Sequence, residues 1–168
     1  LTMDFIAGKN LNAFGPLGLM EFDGQTLGDE LFRAYLKQIL VDGFFHADPH
    51  PGNVYVTDDG RLALVDLGMV ARLAPELRES LVKLLLAVSE GRGAEAATVA
   101  ITMSRPLDDF NRDEFVRQVS VLVTEHGTSS LSDIPAGRVV AELSRIGAQC
   151  GLRLPAELTM LGKALLNL

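Results

Sequence analysis

The chain has 168 residues, of which 48% are apolar and 22% are charged. This length and composition are typical of a packed globular domain and exclude a disordered tail. The net charge of −7 argues against general nucleic-acid binding, which needs a surplus of lysine and arginine facing phosphates. A single cysteine, Cys150, excludes an internal disulfide, and the longest apolar runs are much shorter than a membrane-spanning helix requires.

The first part of the chain is predicted to pass from a strand through a loop to a helix. Residues 1–6 form an apolar run that predicts a strand, and the glycine-rich stretch 9–25 predicts a loop with some short helix. Apolar residues at helical spacing then predict a helix that ends near Asp42 and Gly43. Residues 44–53 contain closely spaced prolines and a glycine, which predict a loop without regular structure.

A β-hairpin and a series of helices are predicted to follow. Apolar residues 54–56 and 62–65 flank Asp58-Asp59-Gly60, which is a strong hairpin signal. The remainder reads as helical, with Pro75 suited to the first position of a helix. Helices are predicted over residues 75–89, 94–104, 111–125 and 137–150, and from Pro155 onward.

The residues that carry chemistry lie within residues 46–68. Asp48 comes five residues before Asn53, and Asp66 ends the returning strand of the hairpin. Because the hairpin folds the chain back, we expect Asn53 and Asp66 to lie side by side, with Asp48 close to them. Carboxylate and amide oxygens suit Mg²⁺, and Mg²⁺ suits nucleotide phosphates. Gly68 is expected to let the chain turn sharply after the metal ligand.

This spacing is that of the kinase catalytic and magnesium loops, H-x-D-x-x-x-x-N followed by D-x-G. Asp48 matches the residue that orients the acceptor hydroxyl. Asn53 and Asp66 match the two metal ligands, and His46 matches the structural histidine at the start of the loop. We expect His46 to be a buried hydrogen-bonding residue.

A second match lies upstream, about 40 residues before the loop and separated from it by the predicted helix. It resembles the kinase hinge, an extended strand whose backbone groups bind adenine. The candidate adenine-binding residues are therefore Met3, Asp4, Phe5 and Ile6.

The string His46-Ala47-Asp48-Pro49-His50-Pro51-Gly52-Asn53, with Leu1-Thr2-Met3-Asp4 upstream and Asp66-Leu67-Gly68-Met69-Val70 downstream, resembles the UbiB/AarF/ADCK family of atypical kinases. The resemblance implies a protein-kinase-like fold that binds ATP and Mg²⁺. It implies an ATPase or a small-molecule kinase that supports isoprenoid-quinone (ubiquinone) biosynthesis or lipid homeostasis. The implied partners are nucleotide, a small-molecule, lipid or quinone-related substrate, and proteins of quinone biosynthesis, with no nucleic acid. The implied location is the cytoplasm, at the periphery of the inner membrane.

Several positions differ from the usual residues of the UbiB/AarF/ADCK family or of protein kinases. Leu67 stands where the family usually has Phe, which should leave metal binding intact. His50 replaces the phosphate-facing lysine of Ser/Thr kinases, and we count it with Asp48 as catalytic. Between Gly68 and Pro75 the sequence has no Ser, Thr or Tyr. We therefore expect neither phosphorylation of protein substrates nor control by activation-loop phosphorylation.

The predicted fold is an α+β, protein-kinase-like C-terminal lobe, mainly helical, with one small β-hairpin and a hinge strand. Its parts are a hinge strand (1–8), a linker and helix (9–43), the catalytic loop, hairpin and Asp-Leu-Gly (44–68), and a helical subdomain (69–168). Because the chain begins at the hinge, we expect the N-terminal lobe to be absent. That lobe carries the nucleotide loop and the Lys–Glu pair of a kinase, so the chain alone should be inactive.

Alternative functions remain open. Aminoglycoside and choline phosphotransferases have a similar loop, H-x-D-x-H-P-x-N, although Ala47, Pro49 and the continuation Met69-Val70 favour the UbiB type. A non-catalytic pseudokinase module could use ATP only to set a conformation. A zinc hydrolase cluster built from the loop's histidines and aspartates is disfavoured by the two prolines and by the kinase spacing of Asn53.

Overall fold

A computed structural model describes residues 5–13, 24–126 and 136–167 of the chain. Two units are distinguished by their internal contacts: Leu1–Ala71 with Asn167–Leu168, and Arg72–Leu166. The first unit carries the predicted loop and hairpin, and the second is built mainly from helices.

A three-stranded antiparallel sheet and a short strand pair form the β-structure of the first unit. The outer strands flank the first hairpin strand in the order β1-β3-β4, and β2 pairs with β5. The hairpin prediction is confirmed, with Val54 opposite Leu64. The strands are β1 (Gly8–Asn10), β2 (Phe44–His46), β3 (Val54–Thr57), β4 (Leu62–Leu64) and β5 (Val70–Arg72).

The predicted helix is present as α1 (Gly24–Lys37), continued by a π-helical turn over Gln38–Asp42. It ends at Gly43, as the sequence indicated. Gly43 has a φ of 65°, a left-handed conformation that glycine adopts without steric cost, and its N–H donates to the Gln38 carbonyl. Tyr35 and Ile39 bury the inner face of this helix.

The strand expected over residues 1–6 is described only at residues 5 and 6, which are not in a strand. Residues 1–4 lie outside the described part, residues 5–7 have no regular structure, and β1 begins at Gly8. The reason is the length of the partner strand, because Gly8 pairs with Thr57, the last residue of β3. Residues 5–7 make no ladder pairs, apart from one bond from the Asp58 N–H to the Ala7 carbonyl at 3.2 Å.

The second unit contains the five predicted helices, each within about two residues of its expected start. Helix α3 packs against α2 and α4, and α4 packs against α5. Phe115 and Val119 of α4, with Leu143 of α5 and Leu158 of α6, are among the most deeply buried side chains. The helices are α2 (Pro75–Ser89), α3 (Gly93–Thr102), α4 (Arg112–His126), α5 (Ala136–Gln149) and α6 (Ala156–Asn167).

Short strands correct two predictions. Residues 44–46 form β2, although we expected a loop throughout residues 44–53, and residues 51–53 form a 3-10 turn. The stretch after the hairpin is not entirely helical, because β6 (Arg105–Pro106) pairs with β7 (Leu152–Arg153). Strands this short depend on partners distant in sequence, so local patterns do not reveal them.

The architecture agrees with the α+β class, mostly helical with small sheets. Cys150 is buried at the end of α5. None of the helices in the described ranges is long and apolar enough to span a bilayer.

Candidate functional site

His46 is a buried side chain that bonds two separate stretches of the first unit. Its Nε2 lies 3.0 Å from the Val65 carbonyl, and its Nδ1 accepts from the Asp48 N–H at 3.2 Å. Because a carbonyl only accepts and an amide only donates, these partners fix the ring with its proton on Nε2. The ring thereby connects the start of the loop to the end of β4.

Val65 is the point where the loop and the hairpin meet. Its carbonyl accepts from the His46 ring, and its N–H donates to the Asn53 carbonyl at 2.9 Å. The next residue along the chain is Asp66. The hairpin therefore brings the backbones at Asn53 and Asp66 side by side, in the arrangement expected from the sequence.

The side chain of Asn53 is buried and faces the loop. Its Nδ2 donates to the Asp48 carbonyl at 3.1 Å, and its backbone N–H donates to the His50 carbonyl at 2.8 Å. With the amide nitrogen directed to Asp48, Oδ1 is the Asn53 atom that could bind a metal ion.

Asp48 and His50 face each other across the loop. The Asp48 Oδ2 and the His50 Nε2 are 4.0 Å apart, and the two side chains are 30% and 48% exposed. The His50 Nδ1 accepts from the Gly52 N–H at 3.1 Å, which places the ring proton on the Nε2 that points toward Asp48. Both groups are thus held together and remain accessible to a ligand.

Gly52 is a site residue that the sequence analysis did not single out. A Cβ at this position would lie 2.9 Å from Cε1 and 3.0 Å from Nδ1 of His50. The absence of a side chain therefore lets the His50 ring lie flat against the loop. The Pro51-Gly52 pair was the available signal, although from the sequence it predicts only a loop.

Asp66 has the backbone conformation that we had expected to depend on Gly68. Its φ is 57°, in the left-handed region that few residues other than glycine adopt, and its side chain is exposed. The chain does turn at Leu67 and Gly68, as expected, although Gly68 has no positive φ. Its N–H instead donates to the Asp66 Oδ1 at 3.3 Å, and a Cβ at Gly68 would lie 3.1 Å from that oxygen. Gly68 therefore leaves room beside the carboxylate.

Two further residues missed from the sequence reach the loop from α1. The Tyr35 hydroxyl donates to the His46 carbonyl at 3.0 Å, and the Gln38 Oε1 accepts from the His46 N–H at 3.1 Å. In the sequence both residues lie within the predicted helix, and nothing there marks them as site residues. Only the packing of the helix against the loop shows that the Tyr35 hydroxyl and the Gln38 side-chain oxygen contact the His46 backbone.

The candidate hinge is described in part. Met3 and Asp4 lie outside the described residues, and Phe5 is 93% exposed. Residues 5–7 and the hairpin residues 57–59 and 61–63 line an open cavity of about 470 Å³. This volume is within the range of small-molecule sites.

The candidate metal ligands suit an ion that uses few protein ligands and fills its other coordination positions with water or substrate. Among the described residues, no three His, Cys, Asp or Glu side chains are grouped closely enough to hold a metal ion by themselves. Asn53 and Asp66 offer one amide and one carboxylate oxygen donor. Mg²⁺ is commonly bound by one or two such protein groups together with water and substrate phosphates, so these residues fit it.

Comparison with known proteins agrees with the loop pattern. A family model described as "ABC1 atypical kinase-like domain" matches residues 1–100. An uncharacterized protein of Synechocystis is 40% identical over 138 residues, which cover 82% of this chain and 34% of that protein. The chloroplastic Activity of BC1 complex kinase 8 of Arabidopsis thaliana is 42% identical over 92 residues, covering 54% of this chain and 12% of that protein.

A third relative extends over almost the whole chain. An uncharacterized protein of Clostridium pasteurianum, described as lying in a hydrogenase 1 5′ region, is 29% identical over 166 residues, which cover 99% of this chain and 31% of that protein. The chain thus spans about a third or less of the length of these relatives.

Proposed function

The chain belongs to the ABC1 atypical kinase-like family, and we propose that it supplies the catalytic loop and the metal ligands of an ATP- and Mg²⁺-dependent kinase or ATPase. The observation that carries this proposal is the hydrogen-bonded frame around Val65. That frame holds Asn53 beside Asp66 and fixes the backbone of Asp48 through the His46 ring.

We assign distinct roles to the polar side chains. Asp48 orients the acceptor hydroxyl or water and accepts its proton, while His50 donates a hydrogen bond to a phosphate oxygen. Asn53 and Asp66 hold Mg²⁺, which when bound would draw phosphate oxygens together and offset their charge. His46 carries no chemistry in this proposal, because both of its ring nitrogens are occupied by backbone partners.

We further propose that the acceptor is a small molecule, with a lipid or isoprenoid-quinone compound favoured by the resemblance of the loop. The segment after Gly68 supports this choice. It enters β5 at Val70 and reaches α2 at Pro75, which leaves little chain for a peptide-docking segment. Efficient phosphorylation of a peptide library by the complete protein would count against a small-molecule acceptor.

Replacing Asp48 tests the proposed chemistry. In the complete protein, Asp48→Asn should lower ATP turnover at least 100-fold, because general-base contributions are typically about 10²–10⁴-fold. ATP affinity should change less than threefold. Asp108→Asn is the matched control, because Asp108 is an exposed carboxylate of the helical unit, outside both the loop and the cavity, and it should leave turnover unchanged.

The outcomes separate an enzyme from a binding module. Loss of turnover with retained ATP binding in Asp48→Asn supports the enzyme. Binding of ATP without turnover by both the natural protein and the variant would favour a non-catalytic nucleotide-binding module. Failure of the natural protein to bind ATP with Mg²⁺ would contradict both.

A further inference from the structure

The backbone of His46 is held on both sides by side chains of one helical segment. The Gln38 Oε1 accepts its N–H, and the Tyr35 hydroxyl donates to its carbonyl. Tyr35 is fully buried, and Gln38 is half-buried. The polar groups on either side of His46 are therefore fixed by α1 and the turn that follows it, in addition to the pairing of β2.

The π-helical turn places the Gln38 side chain, and Tyr35 lies three residues earlier on α1. Gln38 is the first residue of the turn, and the left-handed Gly43 closes the turn by donating to the Gln38 carbonyl. Across the turn, the Lys37 Nζ lies 2.7 Å from a carboxylate oxygen of Asp42. Residues five apart come together in a π-turn, with its i to i+5 repeat, more readily than in an α-helix, and such turns are frequent at functional sites.

The surroundings of Tyr35 favour the protonated phenol, which can donate a hydrogen bond. Burial raises the pKa of the Tyr35 phenol above its ordinary value, and the negative charge of Asp48 raises it further. The phenol therefore stays protonated at neutral pH and can donate to the His46 carbonyl.

We propose that Tyr35 and Gln38 are positioning residues for the site. They fix the backbone of His46, and the His46 ring in turn holds the N–H of Asp48 and the carbonyl of Val65, the residue before Asp66. The expected effect on metal–nucleotide binding rests on the proposed function. The orientation of the His46 ring does not, because it can be measured without any ligand.

Paired variants test this inference in the complete protein labelled with ¹⁵N-histidine and ¹⁵N-aspartate. Gln38→Met removes the acceptor at similar size, whereas Gln38→Glu keeps an acceptor oxygen. Tyr35→Phe removes only the hydroxyl, and Tyr55→Phe is its control, because Tyr55 is the other of the two tyrosines and lies on β3. The readouts are the ring ¹⁵N shifts of His46, the amide shift of Asp48 and the affinity for Mn²⁺·ATP.

Gln38→Met and Tyr35→Phe should shift the His46 Nδ1 and Asp48 amide resonances and weaken Mn²⁺·ATP binding at least threefold. Gln38→Glu and Tyr55→Phe should leave these resonances and the affinity near their natural values. Unchanged His46 and Asp48 resonances in folded Tyr35→Phe would overturn the inference, even if Gln38→Met failed to fold. If the natural protein bound no Mn²⁺·ATP, the proposed function would fail, and the resonances would still decide the positioning role.

Discussion

The candidate site depends on two histidine rings whose orientations are fixed by hydrogen bonds to the backbone. His46 and His50 both use Nδ1 as an acceptor from a backbone N–H two residues later, at Asp48 and Gly52 respectively. The consequences differ because His46 is buried and its Nε2 meets a carbonyl, whereas His50 is half-exposed and its Nε2 faces a carboxylate. With the same type of local hydrogen bond, His46 holds the backbone in place, whereas His50 remains available to a ligand.

Gly52→Ala should impair function more than stability. The added Cβ would press on the His50 ring, which is half-exposed and can swing away into solvent. We expect a stability loss below about 1 kcal/mol, under the usual cost of overpacking a rigid core. ATP turnover of the complete protein should fall at least tenfold as His50 loses its orientation.

Urea denaturation and turnover assays measure the two effects of Gly52→Ala separately. A loss of several kcal/mol with normal turnover in the remaining folded protein would contradict the role given to Gly52.

Glu114 should make the fold sensitive to strong acid. Hydrogen bonds from Arg117 and then Gln118 lower the pKa of this carboxyl from its ordinary 4.5 to about 2. Because the folded pKa is depressed, its contribution to stability is complete above the unfolded pKa and is lost as the pH falls from about 5 toward 2. The pair is exposed, so the effect should be small.

Comparison of the natural protein with Glu114→Gln measures this contribution. The difference in their free energies of unfolding should be greatest near neutral pH and should shrink as the pH falls below about 5. A difference that grew in acid would contradict the assignment.

Helix packing in the second unit depends on close approach between α3 and α4. A Cβ on Gly93 would lie 2.5 Å from the Cα of Ser120, a backbone atom that cannot move aside on its own. Gly93→Ala should therefore separate the two helices and destabilise the protein by about 1–3 kcal/mol. The gain in helix propensity is smaller, because Gly93 is the first residue of α3.

Gly28→Ala is the matched control for helix packing. Gly28 lies inside α1, and a Cβ there would meet no atom within 4 Å. This variant should stabilise the protein by about 0.5–1 kcal/mol through helix propensity alone. Thermal denaturation of both variants tests the contrast, and equal effects of the two substitutions would refute it.

The elements that the sequence predicted well are those with strong local signals. The helix α2 begins at Pro75 and the hairpin surrounds Asp58-Asp59-Gly60, where Gly60 has a φ of 78°. The missed elements depend on distant partners, as in the pairing of Arg105 with Arg153. Strand β1 starts at Gly8 for the same reason, because Gly8 pairs with the last residue of β3.

The spacing of the sequence motifs predicted which residues come together at the site, but it did not predict the backbone conformation or the supporting side chains there. The hairpin was enough to bring Asn53 and Asp66 together. The positive φ of Asp66 could not be inferred, because residues other than glycine rarely adopt it and no local pattern marks this position. Tyr35 and Gln38 were missed for a similar reason, since a helical pattern does not show which polar side chains of the helix contact the loop.

At the scale of the whole molecule, the chain combines a loop-bearing unit with a helical one, and the candidate site residues belong to the first. The net charge of −7 includes the two loop aspartates. Asp66 is an exposed carboxylate next to a buried amide, and a bound divalent ion would compensate its charge. The central claim is therefore that metal and phosphate bind between Asn53 and Asp66.

Paramagnetic broadening by Mn²⁺·ATP tests this claim most directly. Mn²⁺ replaces Mg²⁺ on oxygen ligands and broadens the NMR signals of nearby amides. Broadening should be strongest at Asn53, Asp66 and Gly68, should decrease along β3 toward Thr57, and should fall at least tenfold in Asp66→Asn. Broadening centred on another part of the chain, or unaffected by Asp66→Asn, would contradict the proposed metal–nucleotide site.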